Sequence, residues 1–111
     1  MPQRRELIKG SIDHLLLWII SQQPMYGYKL IKELDNRSQG YFIFKEGTLY
    51  PALHRLEKAN LISSKWQLSP NGRQRKYYHI TDKGQRLLAV QRSQWQSFLT
   101  AMKLVIGPVR A

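Results

Sequence analysis

The stretch Glu46-Gly47-Thr48-Leu49-Tyr50-Pro51-Ala52-Leu53-His54-Arg55-Leu56-Glu57-Lys58 decides how this chain is read. Leu49, Ala52, Leu53 and Leu56 recur at helical spacing and predict one buried stripe. The opposite face carries Tyr50, Pro51, His54, Arg55 and Lys58. Pro51 is placed in the first turn, where its missing N–H costs little. Such a helix has one face for a core and one for a polar, hydrogen-bonding partner. A hairpin follows from Ile62 to Ile80 and contains no acidic residue. A cationic helix beside a basic hairpin is what a major-groove helix with a wing requires.

The hairpin's first strand alternates Ile62, Trp66 and Leu68 with Ser63, Lys65 and Gln67, which predicts one dry and one wet face. Ser69-Pro70-Asn71-Gly72 is turn chemistry. Arg75 to Ile80 alternates again, with Tyr78 and Ile80 sharing a face. Asn60 suits a left-handed helix cap, and Thr81 suits an N-cap, followed by Asp82 in the first turn. Upstream, a helix over about Gly27 to Arg37 buries Leu30, Ile31 and Leu34. Ser38-Gln39-Gly40 then turns the chain into a short extended segment, Tyr41 to Phe44. A first helix, about Arg4 to Ser21, sets Ile8, Ile12, Leu15, Leu16 and Ile19 on one face. Leu7 and Trp18 lie on an adjoining stripe, which suits either deep burial in one chain or contact with a second subunit.

Thr48 to Ile62 (TLYPALHRLEKANLI), followed by Gly72 to Gly84 (GRQRKYYHITDKG), resembles the PadR family of bacterial winged-helix transcription regulators. Tyr26-Gly27-Tyr28-Lys29-Leu30 resembles the same family's second helix. The likeness covers about residues 8 to 90. It implies an α+β, mainly α fold: a winged helix-turn-helix domain over 1–81 with a two-stranded β-wing, then a long dimerisation helix over 82–111. It also implies a homodimeric regulator, usually a repressor. Tyr50 matches the family tyrosine that faces the phosphate backbone.

Candidate DNA contacts follow from chemistry. Arg55 suits guanine or phosphate, and His54 and Tyr50 suit hydrogen bonds. Thr48 lies near a helix N-terminus that favours phosphate. Pro51 and Lys58 share the exposed face. Arg73, Gln74, Arg75 and Lys76 at the hairpin turn suit the minor groove or phosphates, although a solubilising edge strand uses the same residues.

The last helix, about Asp82 to Ile106, bears Leu87, Leu88, Trp95, Phe98, Leu99, Met102, Val105 and Ile106. At roughly 37 Å it is too long for a small winged domain to cover, and so apolar a stripe needs a partner. A second copy of the same helix is the economical one. Trp95 is then either a dimer-seam anchor or the wall of a cavity for a small aromatic or hydrophobic effector. Trp18 and Gln91 would contribute to that cavity, the latter orienting a polar group. Leu88, Phe98, Leu99 and Met102 complete the expected interface. The family resemblance adds that related regulators respond to phenolic acids or planar drugs.

A formal net charge of +11 on 111 residues points to a polyanion: DNA, RNA or an anionic membrane surface. There is no cysteine, hence no disulfide, thiolate zinc site or cysteine nucleophile. His14, His54 and His79 fall on separate elements without metal-ligand spacing, so no metal or other cofactor is expected. No catalytic triad, carboxylate dyad or phosphate loop is visible, and an enzyme is not expected. The Leu15 to Ile20 run is too short for a bilayer, and no signal-peptide pattern precedes it, so a cytoplasmic location with no membrane partner is expected. With the chain ending soon after the last helix, no separate ligand domain is expected. The expected partner is an inverted-repeat operator in double-stranded DNA. The rival reading is a winged-helix adaptor that binds protein or RNA and has only nonspecific affinity for nucleic acid.

Overall fold

The computed structural model describes residues 2–108, with side chains from residue 11 onward. The order is α1 (Pro2–Gln22), β1 (Met25–Tyr26), α2 (Gly27–Arg37), α3 (Glu46–Lys58), β2 (Ile62–Leu68), β3 (Gln74–Ile80) and α4 (Asp82–Ile106). The strands form one antiparallel sheet in the order β1-β3-β2. β1 has only two residues, too few for any periodicity, and was not expected from sequence.

α1 is the central beam. Ile12, Leu16, Leu17, Ile19 and Ile20 are all buried, more than one helical stripe supplies, because α2, α3, β3 and α4 pack around it. Leu17, off the anticipated face, is fully buried for that reason. Trp18 is half-buried and lies beneath the Arg92 guanidinium of α4, 4.3 Å from its ring centre. At Trp18 the second stripe is therefore covered by its own chain. The side chains of Leu7 and Ile8 lie outside the described residues.

α2 and α3 form the helix-turn-helix pair. Leu30 and Leu34 of α2 are buried against Leu49, Ala52, Leu53 and Leu56 of α3, with Ile31 half-buried. The Ser38 hydroxyl donates to the Leu34 carbonyl (2.7 Å) and accepts from the Phe42 N–H (2.8 Å). Gln39 and Gly40 then take positive φ values of 53° and 84°, which turns the chain. Phe44 plugs the core from the connecting segment. α3 ends as anticipated at Asn60, with φ 63°. The Leu61 N–H reaches the Leu56 carbonyl and the Asn60 N–H the Glu57 carbonyl, a Schellman closure. Pro51 corrects its assigned place. It is the sixth residue of α3, past the first turn, and leaves the Gly47 carbonyl without its usual i+4 donor on the exposed side.

The β2–β3 hairpin pairs Ile62 with Ile80, Ser64 with Tyr78, and Trp66 with Lys76. Ile62 and Tyr78 are buried, but the expected dry face ends there: Trp66 and Leu68 are each 68% exposed. The outer half of the hairpin extends past the helices, so alternation continues where the layer beneath has stopped. Ser69 organises the tip. Its N–H donates to the Arg73 carbonyl and its carbonyl accepts from Gly72.

Thr81 caps α4, its hydroxyl accepting from the Gly84 N–H (3.0 Å) and donating toward the carbonyls of Asn60 and Leu61. An added Cβ on Gly84 would stand 2.1 Å from the Leu61 carbonyl oxygen, so only glycine lets α4 dock on the α3–β2 joint. Lys83 Nζ donates to the Ala59 carbonyl at the end of α3 (2.9 Å). Leu88, assigned to the dimer seam as part of the apolar stripe of the last helix, is buried in the core of its own chain, because the first turns of α4 pack against α1. Farther along, Phe98, Leu99 and Met102 are exposed, as are Leu104, Val105 and Ile106.

Candidate nucleic-acid interface

With Leu49, Ala52, Leu53 and Leu56 turned inward, the opposite crest of α3 carries Gly47, Pro51, His54 and Lys58 at four-, three- and four-residue steps. These four are exposed. Tyr50 and Glu57 lie on the flank toward the hairpin, and Thr48 and Arg55 on the flank toward α1. The Arg55 guanidinium donates to Asp13 of α1 at 3.2 Å. Both partners are substantially exposed, so the pair contributes only about 0–1 kcal/mol and yields readily to a phosphate. The N–H of Thr48 is already bonded to the Lys45 carbonyl (3.0 Å), and the residue is exposed.

Tyr50 is positioned by Gly27. A Cβ there would stand 2.3 Å from the Tyr50 hydroxyl oxygen, so glycine at the start of α2 makes room for the ring. Burial, reinforced by the Glu46 carboxylate, raises the Tyr50 phenol above the ordinary 10.0. Its hydroxyl stays protonated and able to donate at neutral pH. Tyr78 is raised also, by burial first, then by Glu57 and Tyr50.

The hairpin residues divide between the two faces of the sheet. Gln74 and Lys76 share the α3-facing side with Trp66, whereas Arg75 is on the other, its guanidinium 4.2 Å from the ring centre of Tyr26. Lys76 Nζ is 3.8 Å from Glu57 of α3, and the Ser64 hydroxyl donates to the same carboxylate. Glu57 thereby ties the hairpin to α3 and sets the distance between them. Arg73 and Gln74 stand exposed at the turn. Because β1 pairs only with Tyr77 and Tyr78, the outer part of β3 has a free edge. Over that edge opens a cleft of about 390 Å³, walled by Tyr28, Tyr50, Trp66, Gln74, Arg75 and Lys76. Tyr28 and Trp66 were not expected here. The cue was Trp66 opposite a lysine rather than an apolar residue.

The α1–α4 side holds a second, shallower hollow of about 240 Å³ lined by His14, Leu15, Trp18, Arg92, Trp95 and Leu99. His14 stacks on Trp95 with ring centres 5.9 Å apart, and its Nδ1 lies 3.1 Å from Gln91 Oε1. Gln91 is thus engaged within the chain. Trp95 also meets Phe98 edge-on. Among the described residues no His/Asp/Glu group is arranged to hold a metal, and no helix is long and apolar enough to cross a membrane.

A helix-turn-helix whose second helix presents a polar crest beside a basic hairpin defines a winged-helix DNA-binding protein. The PadR-like family of transcriptional regulators matches residues 16–90, and the chain belongs to it. An uncharacterised protein of Lysinibacillus sphaericus is 36% identical over 92 residues, spanning 83% of this chain and 84% of that one. Transcriptional regulator Rv3488 of Mycobacterium tuberculosis is 34% identical over 88 residues, 79% of this chain and 78% of its own. The crystal structure of a PadR-like regulator from Bacillus cereus superposes with a TM-score of 0.85 at 36% identity, covering 94% of this chain and 99% of that one. The protein is accordingly a DNA-binding transcriptional regulator and not an enzyme.

Proposed function

We propose that the protein is a homodimeric repressor that occupies an inverted-repeat operator overlapping a promoter, working in the cytoplasm. The observation that carries this reading is the exposed apolar run of Phe98, Leu99, Met102, Val105 and Ile106 along the outer half of α4. A water-soluble chain does not leave such a surface uncovered, and the same helix in a second copy supplies a matching one. In the dimer, α3 from each subunit enters a major groove and each hairpin flanks it. Thr48, Tyr50 and the hairpin cations hold the phosphates, while Pro51, His54 and Lys58 face the base edges. Arg55 joins them by exchanging Asp13 for DNA.

A small aromatic or hydrophobic effector is the proposed relief of repression. The hollow around Trp18 and Trp95 lies at the base of the exposed α4 stripe, so a ligand there acts on the geometry between subunits. Selection of genomic fragments by the full chain, followed by competition with random duplex, tests the operator reading. Enrichment of one inverted repeat is expected. Equal competition by random duplex, or preference for RNA, would favour the adaptor reading.

A further inference from the structure

Trp66 is a large apolar side chain in a hairpin whose charged residues are all cations, and the described residues leave it mostly exposed. It lies on the α3-facing side of the hairpin, as its neighbour Ser64 on that face, bonded to Glu57, establishes. Lys76 stands directly across the ladder, with Gln74 the next residue on the same face. Leu68, two residues beyond Trp66, is equally exposed and prolongs the apolar surface toward the tip, where Arg73 projects. An apolar slab rimmed by cations and an amide calls for a ligand that is itself apolar between anionic groups. A deoxyribose between two phosphates has that pattern.

We propose that Trp66, extended by Leu68, packs its indole face against the deoxyribose wall of duplex DNA beside the groove that α3 enters. This rests on the DNA-binding reading of α3 and the hairpin, and adds to it an apolar, charge-free contact. The Glu57 ties to Ser64 and Lys76 hold the hairpin at a fixed separation from α3. When the α3 crest faces base edges, the flanking surface between α3 and the hairpin meets the sugar–phosphate ridge bordering the same groove. The contact releases no counterion. It therefore strengthens binding without steepening the salt dependence.

The test uses the full chain with Trp66→Ala and Trp66→Phe. Because Trp66 supports no core, both variants should keep the wild-type melting temperature. Trp66→Ala should weaken binding about tenfold, as loss of a large buried apolar contact does. The loss should fall on selected and random duplex alike, with an unchanged log–log salt slope, while Trp66→Phe retains most of the affinity. Trp66 emission, taken as wild type minus Trp66→Phe, should be shielded from acrylamide by saturating duplex. Wild-type affinity in Trp66→Ala, with Trp66 still quenched in a complex that plainly forms, would overturn the proposal and leave the DNA-binding reading standing. Shielding that tracks protein concentration without DNA would assign the indole to a second copy instead and overturn it. Shielding by single strands but not by duplex would do the same. A wild-type chain that binds no duplex would remove the underlying reading, and this one with it.

Discussion

His54 and Arg55 are adjacent in sequence but stand about 100° apart around α3. That rotation separates their roles: His54 is on the crest, and Arg55 is on the flank, held by Asp13. His54→Ala should cost about 1–3 kcal/mol on the selected operator and far less on random duplex, if it reads a base. Arg55→Ala should cost less, since the arginine gives up an existing partner to bind. Asp13→Asn should tighten binding a few-fold, about 0.5–1 kcal/mol, by releasing Arg55. Mobility-shift titrations of the three variants on both duplexes order these effects; a larger loss for Arg55 than for His54 would reverse the assignment. The tyrosines make a second prediction. Tyr50 and Tyr78 have phenols raised above 10.0 in the fold, so the folded state favours the neutral ring. Their contribution to stability is complete below pH 10 and is lost as pH climbs through the raised values. Urea unfolding followed from pH 8 to 11 should show stability falling at the alkaline end, and Tyr78→Phe should reduce that fall.

The hairpin, taken as an element, is an electrostatic device. With about eight phosphate contacts per dimer, the log–log dependence of affinity on salt should have a slope near −7. Arg75→Ala removes a cation from each subunit and should flatten the slope by about 2, weakening most sequences alike. An unchanged slope would mean that Arg75 serves Tyr26 rather than DNA. Elements also show what sequence discloses and what it withholds. α3 was legible because its apolar spacing, its Asn60 cap and the adjoining hairpin agree with one another, and because its sequence resembles a known family. Thr81 was legible as a cap because capping is local chemistry. Trp66 and Leu68 were misread because alternation reports a pleated strand, not how far the layer beneath it extends. Pro51 was misplaced although the helix start was read correctly: counted from Glu46 it is the sixth residue, beyond the turn in which a missing N–H costs nothing. Leu88 was assigned to the wrong surface because an apolar stripe along a helix does not say where the fold's own core ends along it. The Asp13–Arg55 pair and the Gly27 seat for Tyr50 join residues far apart in sequence, and no pattern within either helix announces them.

At the scale of the molecule, the outline is elongated, 50 × 28 × 24 Å, because α4 runs on past the core. That outer length is the proposed dimer seam, with the DNA-binding surface on other elements. Sedimentation at micromolar concentration should therefore give a dimer. Replacing Phe98 and Met102 together with charged residues should give monomer, since a desolvated charge in the seam is costly. Those two positions are exposed in the single chain, so the variant should still fold. In the proposed assembly, two copies present two α3 crests to one duplex. Footprinting the 111-residue chain on its selected genomic fragment tests this arrangement. Protection is expected over an inverted repeat whose half-site centres lie about 34 Å apart, or a multiple of that, with Phe98/Met102 charge variants losing the paired pattern. A single unpaired footprint, or uniform protection indifferent to sequence, would contradict it.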